Sequence, residues 1–145
     1  MIIAVFDTNV LASGLAGETR PESTPGVLIR RWRARHFTLV VSEPILTELK
    51  RNLTNPFISS RFPSAMVTKI VTRIAAEAHI QDITVSLTGV ATHPEDDARL
   101  ATALSGNIAY LVTGDHQLQQ RGVYAGTRLL SPRQFLEILD LEQTT

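Results

Sequence analysis

Three short apolar runs rich in β-branched residues narrow what this chain can fold into: IIAVF at 2–6, FTLVV at 37–41 and IAYLVT at 108–113. Each is uninterrupted rather than alternating, which is the pattern of a strand buried on both faces inside a parallel sheet. TRLL at 127–130 reads as a fourth strand, at the sheet edge, and HIQDITV at 79–85 as a further candidate. Parallel neighbours need crossover segments, and helical periodicity fills the gaps between the runs. It occurs at 27–35, from Ser42 onward with Ile45, Leu46, Leu49 and Leu53 on one face, at 65–78 and at 96–105. The alternation predicts an α/β fold, a three-layer α/β/α sandwich with a central, mainly parallel sheet. Ser42 is the expected N-cap of its helix with Pro44 in the first turn, and Gly106-Asn107 the expected stop after the 96–105 helix.

A chain of 145 residues is most economically one domain, here 1–145. The only long stretch without apolar periodicity, AGETRPESTPG at 16–26, reads as a loop or lid and not as a domain linker. Fourteen basic and fourteen acidic side chains cancel, so nucleic acid would have to be held by a local patch and not by a long-range cationic field. The absence of cysteine excludes disulfides, thiolate nucleophiles and cysteine-ligated zinc. No basic leader precedes MIIAVFD and no apolar run reaches the roughly 20 residues of a membrane span, so the expectation is a cytoplasmic protein with no membrane partner.

Acids punctuate this pattern at the ends of elements. In open α/β sheets ligands gather outside the carboxyl ends of the strands, and Asp7 ends the first run while Asp115 follows the third. Glu48 lies on the helix after FTLVV, and Asp97 falls in the first turn of the helix carrying Leu100, Ala101 and Leu104. Carboxylates brought together repel one another unless a cation intervenes, and Arg99 is the one basic residue adjacent to any of Asp7, Asp97 or Asp115. Oxygen-only ligation of that kind suits Mg2+ or Mn2+, with phosphodiester hydrolysis as the chemistry. Each acid also has an ordinary reading. An Asp after a strand serves as a turn former or helix N-cap, Glu95, Asp96 and Asp97 complement a helix dipole, and Glu48 can be a surface glutamate.

Taken together, FDTNVLASGL at 6–15, VVSEPILTELKRNL at 40–53 and HPEDDARLATALSGNIAYLVTGDHQL at 93–118 resemble the PIN domain, a family of metal-dependent nucleases that includes the VapC-type toxins of toxin–antitoxin pairs. The resemblance implies Asp7, Glu48, Asp97 and Asp115 as catalytic and metal-binding acids around one or two Mg2+ or Mn2+ ions. It implies that Thr8 or Asn9 orients the site and that Thr113 supports the fourth acid or touches phosphate. Asp96 is the neighbouring alternative to Asp97, which stands three residues before Leu100 as the family spacing requires. Gln117 departs from the pattern, because many relatives carry a further acid there, and this bears on a second metal ion. The function implied is an endoribonuclease, as the toxin of a toxin–antitoxin pair, with an RNA substrate, a small antitoxin partner and a homodimeric state. The alternatives are an RNA-processing nuclease without an antitoxin and a non-catalytic binding module.

The remaining features weigh less. RRWRARHF at 30–37 is the one dense basic cluster, with Trp32 and Phe37 as possible base-stacking rings, but its arginines splay around a helix and read first as salt-bridging. The four histidines have no metal-ligand spacing, and there is no nucleophile elbow, P-loop or dinucleotide glycine pattern. Phosphotransfer through Asp7 would want an acid where Asn9 stands. The 65–78 helix is the expected place for an apolar dimerisation face.

Overall fold

The computed structural model describes residues 1–55, 62–87 and 94–143, the side chains of 94–96 apart. In chain order the elements are β1 (Ile3–Phe6), α1 (Thr8–Gly17), α2 (Thr24–Arg33), β2 (Thr38–Val41), α3 (Glu43–Leu53), α4 (Ser64–Glu77), β3 (His79–Ile80), α5 (Pro94–Ser105), β4 (Tyr110–Val112), α6 (His116–Arg121), β5 (Val123–Tyr124), β6 (Thr127–Leu130) and α7 (Pro132–Gln143). One six-stranded sheet has the order β3-β2-β1-β4-β6-β5, parallel throughout except for the β5–β6 pair.

The three apolar runs occupy the middle of this sheet. Ala4, Val5 and Phe6 are all buried, as are Leu39, Val40 and Val41, and consecutive residues of a strand point to opposite faces. Both faces of the sheet are therefore covered, giving the α/β sandwich with a central, mostly parallel sheet. An aromatic cluster fills one side: Phe6 stacks on Phe37 at 5.4 Å, and Phe135 of α7 meets both rings edge-on at 5.7 and 5.1 Å. Edge-to-face contacts of this kind suit the ring quadrupoles, beyond the roughly 1.5–3 kcal/mol from burying each Phe.

The structure corrects several boundaries. TRLL is not an edge strand: β6 pairs with β4 on one side, and the edge is β5, returned by a tight turn with Ala125 at φ 49° and Gly126 at φ 89°. Positive φ at both central positions gives the turn a twist that matches the strands it joins. Of HIQDITV only His79–Ile80 is strand. The expected loop at 16–26 is shorter than its sequence suggests: α1 runs through Gly17 and α2 begins at Thr24, leaving 18–23 as the connection. Glycine explains the compact corner: a Cβ on Gly26 would strike the Gly17 carbonyl, and one on Gly17 would strike the Ser23 side chain. Helices α1, α6 and α7 are additional elements. Asn107 ends the α5 region at φ 50°, a left-handed geometry that Asn tolerates.

Three arginines of the basic cluster make intramolecular contacts. Arg33 pairs with Glu18 at 2.5 Å, Arg31 with Asp140 at 2.7 Å, and Arg30 donates to the Glu18 carbonyl. Trp32 and Phe37 are buried in the core and do not present their faces for base stacking. On α4, Val67 and Ile74 are buried while Met66 is exposed.

Candidate active site

Asp7 leaves β1 at its carboxyl end, with its backbone N–H donating to the Val112 carbonyl of β4 at 3.0 Å. Its side chain is turned inward, only 2% of the residue being exposed, and both oxygens are engaged. Oδ1 accepts from Val10 N–H at 2.8 Å, capping α1, and Oδ2 accepts from the Thr113 hydroxyl at 2.6 Å. The ordinary reading of Asp7 as an N-cap is thus structurally true. It does not compete with a site role, because the positive end of a helix is where a carboxylate is stabilised.

Thr113 continues β4 and is fully buried. Its hydroxyl, while donating to Asp7, accepts the Asp115 N–H at 3.0 Å. Asp115 then caps α6, with Oδ1 accepting from Gln117 N–H at 2.8 Å and Leu118 N–H at 3.2 Å. Gln119 reaches back to the Thr113 carbonyl at 2.7 Å. Parallel pairing of β1 with β4, with Phe6 opposite Val112, therefore delivers two acids to one sheet edge with a shared hydroxyl between them.

The other two acids arrive on helices. Glu48 lies one turn before Asn52 on α3, and Asn52 donates to Asn9 Oδ1 at 3.3 Å, joining α3 to the start of α1. Residues four apart share a helix face, so Glu48 lies on the face that Asn52 presents to α1. A groove of about 700 Å³ runs along it, lined in part by Thr47, Glu48, Arg51 and Asn52. Asp97 is buried on α5, which packs against β1 and β4. Two residues on, Arg99 Nη2 lies 2.5 Å from Glu48 Oε1. Thr102 on α5 is also hydrogen bonded to Ser42 Oγ at 2.8 Å, so Ser42 occupies the N-cap position of α3 while its side chain joins α5.

The structure thus gathers Asp7, Thr113 and Asp115 into one hydrogen-bonded chain and Glu48 with Arg99 into an ion pair. Among the described residues no three His, Asp or Glu side chains converge closely enough to form a protein-only metal cage. Mg2+ does not need one: it keeps much of its hydration and is commonly held through one or two carboxylates plus substrate phosphate. The donors present are hard oxygens of the right kind. Thr8 Oγ1, on the residue after Asp7, is fully buried and has no hydrogen-bond partner among the described residues. The residues fit such an ion on the chemistry of the donor set.

Sequence reasoning gave Arg99 no role. Its signal was nonetheless present, as the one basic side chain adjacent to the acids. Asp96, Glu95 and His93 lie where side chains are outside the described residues.

Asp7 and Asp115, placed by strand ends along the carboxyl edge of a parallel sheet and linked by Thr113, define an α/β protein with two acids at one edge. Residues 4–117 match the family model of the PIN domain, and this chain belongs to that family. Solved structures share the fold. A chain of VapBC2 from Rickettsia felis, determined bound to a DNA fragment from their promoter, aligns with a TM-score of 0.59 at 15% identity, over 90% of this chain and 98% of that one. Mycobacterium tuberculosis VapC20, described as a sarcin–ricin loop cleaving toxin, aligns with a TM-score of 0.56 at 14% identity, over 86% of this chain and 98% of that one. A search of curated proteins found no match.

Proposed function

We propose that this chain is a metal-dependent endoribonuclease that hydrolyses RNA phosphodiester bonds at a site carrying Asp7, Glu48, Asp97 and Asp115, and that it is the toxin of a toxin–antitoxin pair. The observation that carries the reading is Asp7: a carboxylate buried at a strand end, with no ion-pair partner among the described residues, tied through one hydroxyl to a second acid. Family membership supports nuclease chemistry. The likeness to a sarcin–ricin loop cleaving toxin supports RNA as substrate, and the likeness to VapBC2 supports a small antitoxin partner. A homodimer and a cytoplasmic location belong to the same proposal. No helix among the described residues is long and apolar enough to cross a membrane.

In this reading Asp7, Glu48, Asp97 and Asp115 would surround a hydrated Mg2+ or Mn2+, which when bound would supply Lewis-acid polarisation of a phosphodiester. The chain's own groups supply preorganisation. The Val10 N–H and Thr113 hydroxyl fix the Asp7 carboxylate, and the Gln117 and Leu118 N–H groups fix Asp115 through Oδ1. Asn9, two residues after the first acid, is tied to α3 through Asn52. Asn9 offers an amide and no acid, so it gives Asp7 no general acid for phospho-aspartate chemistry.

The test is cleavage of single-stranded and structured RNAs with Mg2+ or Mn2+, with Asp7→Asn as control. Absence of any metal-dependent substrate loss across that panel would sink the nuclease reading. A second reading, a non-catalytic binding module, draws on the Glu48–Arg99 pair, in which one of the acids is already neutralised. Mn2+ calorimetry on the native chain and Asp97→Asn separates the two: equal binding by both would reject Asp97 as a ligand. A small neighbouring reading frame for a DNA-binding companion would distinguish a toxin from an RNA-processing nuclease without an antitoxin.

A further inference from the structure

We propose that Arg99 is a built-in cation for Glu48, so that Glu48 acts as a positioning residue and the site takes one divalent ion, held without it. This rests on the metal-dependent reading above. The Arg99 side chain is 4% exposed and that of Glu48 23%, and Nη2 lies 2.5 Å from Oε1, in direct charge-assisted contact. A guanidinium does not lose its proton in a protein, so the positive charge at Glu48 is permanent.

The pairing also has a scaffold. Arg99 stands on α5 two residues after Asp97, and Glu48 stands on α3, whose N-terminus is joined to the same helix by the Ser42–Thr102 hydrogen bond. The ion pair thus adds to the Ser42–Thr102 tie between α3 and α5, and it holds the helix that carries Asp97 against α3. A divalent cation seated on Glu48 would lie beside the guanidinium in a setting that water screens poorly, a like-charge juxtaposition that disfavours it. The cation is left to Asp7, Asp97 and Asp115, and Arg99 supplies at Glu48 the charge that a second ion would otherwise bring.

Mn2+ binding to the full chain, read by calorimetry and by the spin-resonance signal of free Mn2+, tests this without recourse to activity. The native chain is expected to bind one Mn2+, and Glu48→Gln to change its Kd by less than about threefold, whereas Asp97→Asn weakens it by at least about tenfold. Arg99→Met frees the Glu48 carboxylate, so either a second Mn2+ binds or the affinity rises by about threefold or more. Arg99→Met with Glu48→Gln removes both charges, guards against misfolding of the single variant, and returns binding to the native pattern. A loss of about tenfold or more in Glu48→Gln would make Glu48 a ligand and overturn the inference, leaving the nuclease reading intact. Unchanged binding in Arg99→Met would overturn it equally. A native chain that binds no Mn2+ would reject the metal-dependent reading and this inference with it.

Discussion

The Thr113 hydroxyl donates to Asp7 Oδ2 at 2.6 Å across the β1–β4 pair and accepts the Asp115 N–H at 3.0 Å. A single hydroxyl thus links two acids from different strand ends. Thr113→Val keeps the shape and removes the hydroxyl, leaving a buried carboxylate oxygen and the Asp115 N–H without that partner. A hydrogen bond to a charged group is worth about 1.5–3 kcal/mol, and denaturant unfolding should show a loss of that size. Thr113→Ser retains the hydroxyl and should lose less, about 1 kcal/mol, for one buried methyl. Equal losses in the two variants would show that the hydroxyl contributes nothing of its own.

Asp115 combines two roles that substitution can separate. As N-cap of α6 it accepts from Gln117 and Leu118 through Oδ1, a job that an Asn oxygen does as well. Asp115→Asn should therefore unfold within about 0.5 kcal/mol of the native chain, while Asp115→Ala should cost about 1 kcal/mol. Metal-dependent RNA cleavage should fall by at least about 100-fold in both, since neither supplies the second negative charge. Full activity in Asp115→Asn would confine the residue to capping.

How much of this was legible beforehand depends on the range of the interaction concerned. Buried strands announce themselves locally, so Val5, Val40 and Leu111 were readable as sheet interior, and with them the strand end at Asp7. Helix α1 was not read because Thr8–Gly17 is apolar on most sides, with Val10, Leu11, Ala12 and Leu15 all buried, and lacks the amphipathic contrast that marks a surface helix. Strand β6 looked like an edge because its partner β5 has only two residues, Val123 and Tyr124, too few to leave a pattern. In the acidic site, strand and helix ends gave Asp7 and Asp115 their places. The Glu48–Arg99 pair spans 51 positions and depends on how α3 meets α5, which no local periodicity encodes.

The α1–α2 corner gives a prediction about packing. Ala at position 26 would drive its Cβ into the Gly17 backbone carbonyl, an atom that cannot move aside as a flexible side chain would. Gly26→Ala should destabilise the fold by about 2 kcal/mol or more, since overpacking typically costs 1–3 kcal/mol. Because α1 is capped by Asp7, the same variant should weaken Mn2+ binding. A variant of native stability would mean that the two helices separate freely.

The β5–β6 turn offers the opposite kind of change. Ala125 sits at φ 49° beside Gly126 at φ 89°, so both central residues of the two-residue turn are left-handed, where Asn-Gly is the favoured pair. An alanine there bears a Cβ penalty that Asn offsets by local hydrogen bonding and Gly avoids outright. Ala125→Asn should stabilise the chain by about 0.5–1 kcal/mol, read as a higher unfolding midpoint with an unchanged denaturant slope. The turn joins strands at the sheet edge beyond β4, and the acids lie at the far side of β6, so RNA cleavage and Mn2+ affinity should match the native chain. Ala125→Gly should gain less than Asn, because glycine also loosens the unfolded chain. A lower midpoint for Ala125→Asn would contradict the left-handed geometry assigned to this turn.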